Sequence, residues 1–116
     1  MKLKFEFAFN RHTSHLDPAV RVFLDERRTP GNVADDIEVK MKQQGDSLVW
    51  KGECTSEDPS PVGMFVRAVF EGSSGAIWIL KVSRSDDGKD VVVYDNTPFK
   101  QKVQRGLNLV WARIES

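Results

Sequence analysis

MFVRAVFEGSSGAIWILKV, residues Met64 to Val82, holds the most apolar run of the chain and frames the reading of what surrounds it. It divides into two strands, Met64 to Glu71 and Ala76 to Val82, joined by Gly72-Ser73-Ser74-Gly75. Glycine on either side of a serine pair lets the backbone reverse where a side chain would clash, so a hairpin is expected. In the second strand Ala76, Trp78, Leu80 and Val82 point one way. Ile77 and Ile79 point the other way, and only Lys81 breaks their row. A strand apolar on both faces expects cover on both.

Upstream, Lys2 to Asn10 is a clear strand, with Leu3, Phe5, Phe7 and Phe9 on one face against Lys2, Lys4, Glu6 and Ala8. Arg11 to Leu16 is a polar loop carrying both histidines. Asp17-Pro18 looks like a helix entry, with Asp17 as N-cap and Pro18 at the first helical position. Val20, Phe23, Leu24 and Arg27 share a helical face, and Thr29-Pro30-Gly31 stops the chain after the basic pair Arg27-Arg28. These ends predict a short helix near residues 18–28. A short strand is the competing reading, because Val20, Val22 and Leu24 also alternate.

Asp36 to Lys42 alternates, Gln44-Gly45-Asp46 turns, and Leu48 to Cys54 returns. Two prolines and their polar neighbours in TSEDPSP, Thr55 to Pro61, stop a ladder and predict a connection between sheets. Downstream of the central stretch, Asp87-Gly88 is a strong hairpin signal before the strand Val91 to Tyr94. Gly106 leads into a last strand, in which Leu107, Leu109 and Trp111 oppose Val110, Ala112 and Ile114. The pattern is mostly β: a seven-stranded antiparallel β-sandwich, immunoglobulin-like or jelly-roll in type, with one short helix, forming one domain over residues 1–116.

The totals bound the function. The chain has 116 residues, enough to bury roughly two thirds of its unfolded surface in one core. Lys plus Arg and Asp plus Glu number 17 each, so no global field steers the protein to nucleic acid or to an acidic membrane, and neither is expected as a partner. One cysteine, Cys54, excludes an internal disulfide and suits a reducing compartment. Met1 to Glu6 lacks the apolar region of a signal peptide, and the run Ala76 to Leu80 is far short of the ~20 residues of a membrane span. A cytoplasmic location is the expectation.

Candidate chemistry is sparse. His12-x-x-His15-x-Asp17 has metal-ligand residue types but no supporting cluster, and Asp17 already has a capping role. The acidic run from Asp86 to Asp90, with Glu57 and Asp58, lacks the spacing of a calcium loop, and Lys89 sits inside it. Ser73 and Ser74 lie outside any Gly-x-Ser-x-Gly elbow, and Cys54 joins the row of Leu48 and Trp50 as a buried, inert thiol. Neither a metal nor a cofactor is expected, and no catalytic set can be assembled.

What remains is surface. The first three strands have a charged outer face, whereas the last four are apolar on both. If the two groups form separate sheets, the second exposes Phe65, Val69, Ile77 and Ile79. A ten-residue helix, ~15 Å long, would leave much of that sheet bare, and bare apolar patches mark interfaces. In the alternative, strands interleave between sheets as Greek keys do and each face is covered. Trp50, Trp78, Trp111 and Tyr94 are candidates for stacking a carbohydrate or small ligand, although each tryptophan has an apolar row to join. Lys100, Lys102 and Arg105 form a candidate basic rim. The expectation is a non-catalytic module that binds another protein, or its own copy, through the C-terminal sheet, with ligand binding as the alternative.

Overall fold

One sheet is laid around the phenylalanine-rich strand. In the computed structural model, which describes residues 1–13, 17–96, 101–103 and 106–115 (with the side chains of residues 101 and 102 left out), this strand is β1, Lys2–Phe9. Leu3, Phe5, Phe7 and Phe9 are buried, as the alternation requires. Two further strands, β2 (Ala19–Asp25) and β3 (Ile37–Val39), belong to the other sheet; β4 (Lys42–Gln43) and β5 (Val49–Thr55) return to the first. After β6 (Phe65–Gly72) come β7 (Ile77–Asp86), β8 (Lys89–Asp95), β9 (Gln101–Lys102) and β10 (Gly106–Arg113).

Two antiparallel sheets result. The larger has six strands in the order β4-β5-β1-β7-β8, with β9 pairing β7 off this path; the smaller has four in the order β10-β6-β2-β3. This exceeds the seven strands expected, because the segment read as a helix is β2, the alternating stretch from Asp36 to Lys42 divides into β3 and β4, and the two-residue β9 is too short to show a period. Between the sheets lies one core. Phe7 stacks parallel to Trp78 with ring centroids 5.7 Å apart and meets Phe70 of the opposite sheet at 4.8 Å, while Phe9 sets its edge on Trp50 at 5.8 Å.

The segment predicted as a helix near residues 18–28 is a strand over Ala19–Asp25. Val20, Val22 and Leu24 turn inward between β6 and β3, where alternation decides the outcome over the capping signals. Pro18 and the Arg27-to-Gly31 stretch punctuate a strand as well as they would a helix, and the only helical turn among the described residues is the 3-10 turn Val33–Asp35.

Two connections also depart from expectation. β6 and β7 are not a hairpin: Gly72 to Ala76 carries the chain from the four-stranded to the six-stranded sheet, turning where the Ala76 N–H donates to the Ser73 carbonyl at 3.1 Å. The alternating segment Asp36 to Lys42 splits as well, with β3 in one sheet and β4 in the other. The switch, at Lys40 and Met41, passes close over Gly52, where a Cβ would stand 2.5 Å from the Lys40 carbonyl oxygen. The Asp87-Gly88 hairpin forms as read, both residues having positive φ (50° and 80°), as a tight two-residue turn requires.

Candidate functional site

Outward-facing positions are where this architecture leaves chemistry exposed. Of the four residues expected to form one interface, Phe65 and Val69 lie half-buried on the outer face of the four-stranded sheet. Ile77 and Ile79 lie half-buried on the outer face of the six-stranded sheet. Their parity was legible, but the shared surface does not form, because β6 and β7 belong to different sheets.

What the structure brings together instead is β10 with the outer residues of β6 and β2. In register across the sheet run Leu109, Val69 and Arg21; the next row is Trp111, Arg67, Phe23 and Glu38. Leu107, Leu109 and Trp111 are 77%, 56% and 41% exposed. The Arg67 guanidinium lies 4.0 Å from the Phe23 ring centroid and 5.7 Å from that of Trp111, so it is stacked between two aromatic rings. Its Nε is 3.3 Å from Oδ2 of Asp36, whose side chain is only 1% exposed. Arg21 reaches Glu38 with two hydrogen bonds of 2.8 and 3.1 Å, which hold the Glu38 carboxyl below its usual range and raise Arg21 further.

β10 also ends its sheet. Among the described residues it pairs only with β6, and no ionisable residue or proline occurs from Gly106 to Ala112. Leu107, Leu109, Arg67, Phe23 and Asp36 were absent from the sequence-derived site. A signal for part of it existed in the alternation Leu107, Leu109, Trp111 without an intervening charge.

Two of the stacking candidates are core: Trp50 and Trp78 are each 5% exposed and pack against Phe9 and Phe7. Tyr94 is half-buried, and burial, then Asp95, push its hydroxyl pKa up. Trp111 alone retains an open ring. Of the basic rim, Lys100 and Arg105 lie outside the described residues; Lys102 stands in β9 opposite Ile77, its side chain likewise outside them.

The outer face of the six-stranded sheet carries a shallow groove of about 430 Å³, lined by Lys4, Lys42, Lys51 and Lys81 with Glu6 and Asp90 among its acids. Most of this charge is matched. Lys4 binds Asp90 at 3.2 Å, Lys51 faces Glu6 at 3.7 Å, and Lys2 reaches Glu53 at 3.3 Å. Hydrogen bonds from Lys4 and Ser85 hold Asp90 below the usual carboxylate range.

The remaining candidates find structural employment. Ser73 Oγ lies 3.4 Å from His12 Nδ1, a serine–histidine approach across the loop, but Ser73 is buried and its Oγ accepts the Thr13 N–H at 2.6 Å. This tethers the 11–13 loop. His15 lies outside the described residues. Among those described, no group of three or more His, Cys, Asp or Glu side chains is placed to hold a metal. Cys54 is a free, half-buried thiol pushed up to about 11 by burial and by Glu26, so it stays protonated and unreactive near neutrality. No helix among the described residues is long and apolar enough to cross a membrane. No family model, no curated protein and no solved structure matches this chain.

Proposed function

We propose that this protein is a non-catalytic interaction module whose working surface is the outer face of the four-stranded sheet. One observation carries the reading: Leu107, Leu109 and Trp111 form an exposed apolar row on a strand that, among the described residues, pairs only with β6. Such rows are uncommon on chains that remain alone, since an uncovered apolar row beside free backbone groups favours association. Arg67, fixed between Phe23 and Trp111 and tied to Asp36, gives the row a rigid polar anchor of the kind interfaces favour. The immunoglobulin-like or jelly-roll attribution belongs to the same proposal, supported by antiparallel sheets between which the chain repeatedly crosses. A cytoplasmic setting is supported by the free thiol of Cys54.

The test is the folding stability of Leu109→Lys, measured by chemical denaturation at a dilution where parent and variant are both monomeric, so that loss of association does not enter. A side chain 56% exposed belongs to the surface, so the cost should stay within about 0.5 kcal/mol. A loss above about 2 kcal/mol would place Leu109 in the core and sink the reading.

A further inference from the structure

The four sheet edges differ in how they are guarded. β4 is two residues long and includes Lys42; β3 is three residues long and includes Glu38. β8 carries Lys89, Asp90 and Asp95 along its seven residues. Short length and charge are the usual protections against strand addition. β10 has neither: it is eight residues long, its exposed row is apolar, and its first ionisable residue is Arg113.

We propose that the occupant of this edge is a second copy of the chain, with β10 of each protomer running antiparallel about a two-fold axis at Val110. The inference rests on the interaction-face reading above and adds the partner and the mode of pairing. Homotypic pairing is selective, because each residue meets its own mirror set. Any charge at the axis would meet its own sign, and β10 has none from Gly106 to Ala112. Opposed residues in an antiparallel pair share a face, so the outer row must meet the partner's outer row.

With the axis at Val110, Leu109 faces the partner's Trp111, and the reverse contact repeats across the axis. Leu107 faces the partner's Arg113, whose aliphatic stem can cover it while the head stays in water. On the inner face Asn108 meets the small partner's Ala112. No two like charges of described residues are opposed. Joining two four-stranded sheets gives one sheet of eight strands, with about 24 Å of new ladder from seven paired residues. The row that Leu107, Leu109 and Trp111 begin in one copy then continues into the next, and Val69 and Arg67 lie behind it on both sides.

The experiment combines sedimentation with cross-linking in a Cys54→Ser background. Wild type should form a dimer at micromolar concentration. Leu109→Lys should weaken it at least tenfold while keeping the far-ultraviolet circular dichroism of the parent. Val110→Cys should give a disulfide-linked dimer under mild oxidation, because directly opposed strand residues lie within disulfide reach, with Cα atoms roughly 4.5–5.5 Å apart. Adding Leu109→Lys should suppress that cross-link. Wild type that stays monomeric up to high micromolar concentration, with no Val110→Cys cross-link, overturns the second-copy proposal. A dimer that Leu109→Lys abolishes, but that cross-links through Arg21→Cys and not Val110→Cys, would mean that faces stack and edges do not pair. The interaction face would survive that result and the strand pairing would not. Failure of the face itself would show separately, as loss of folding stability in monomeric Leu109→Lys.

Discussion

The two sheets turn their outer faces to water in different ways. On the six-stranded sheet, long cations stand beside acids in neighbouring strands, as in Lys2 with Glu53, Lys4 with Asp90 and Lys51 with Glu6, and all of these side chains are well exposed. Their aliphatic stems cover the strands and their heads stay hydrated. On the four-stranded sheet the central cation, Arg67, is largely buried between Phe23 and Trp111 against an almost inaccessible Asp36, and the edge beyond it is apolar. Charge on the first face is redundant and replaceable. On the second, beside the exposed Arg21–Glu38 pair, the charge of Arg67 is packed in, and removing it strands a buried carboxylate. One face is therefore finished as a protein surface, and the other resembles half of a contact.

The largest effect should come from the layer both sheets share. Phe7→Ala removes a ring that meets Phe9, Phe70 and Trp78, and should cost about 3–5 kcal/mol in denaturant unfolding. A cost below about 1 kcal/mol would mean that the sheets do not pack through this cluster, and the contrast between outer and inner faces would lose its basis. The next effect compares ion pairs directly. Arg67→Met should cost about 3 kcal/mol because Asp36 is left buried without its partner, and adding Asp36→Asn should recover part of the loss. Lys51→Met, on the other face, should cost less than about 0.5 kcal/mol. Equal costs would erase the comparison.

The smallest effect is in acid. Asp58 is held below its ordinary value of 3.8 first by a hydrogen bond from Arg28, Asp90 by Lys4, and Glu38 below 4.5 by Arg21. Depressed carboxyls contribute stability that is fully present above their ordinary values and is lost as pH falls through the lowered ones. Thermal midpoints should therefore hold steady from about pH 7 to pH 5 and decline below about pH 4. These carboxyls lie at the surface, so added salt should shrink the decline. A decline unaffected by salt would shift the cause to buried groups.

Much of the fold was legible because period-2 alternation reports which face of a strand is inward whatever the strand pairs with. Leu3 to Phe9 read correctly, as did the Asp87-Gly88 turn, whereas the two apolar rows of β10 gave no sign of which one is inward. Pairing was less legible. A four-residue loop with glycines at both ends fits a hairpin and equally fits a crossing between sheets, and nothing in Gly72 to Gly75 distinguishes the two. The same limit split the expected interface, since Phe65 and Ile79 were correctly placed outward but assigned to one sheet. Residues 18–28 misled for another reason: Asp17, Pro18, Pro30 and Gly31 delimit any element, and only the neighbours β6 and β3 make the interior a strand. Trp111 could not be told from Trp50 and Trp78 by sequence because all three sit in apolar rows, and only its place on the outward face of an edge strand leaves it open.

The interleaving of the strands has a consequence for how the protein is made. β1 precedes both of its partners in the chain and lies in the middle of its sheet: one neighbour is β5 and the other is β7, which ends at Asp86. At roughly 5–20 residues per second, β7 follows β1 out of the ribosome by about 4–15 s. Through that interval Phe5, Phe7 and Phe9 wait without their full cover, an apolar row open to aggregation. Whatever shelters the nascent chain has β1 to protect through this interval, well before the β10 edge exists.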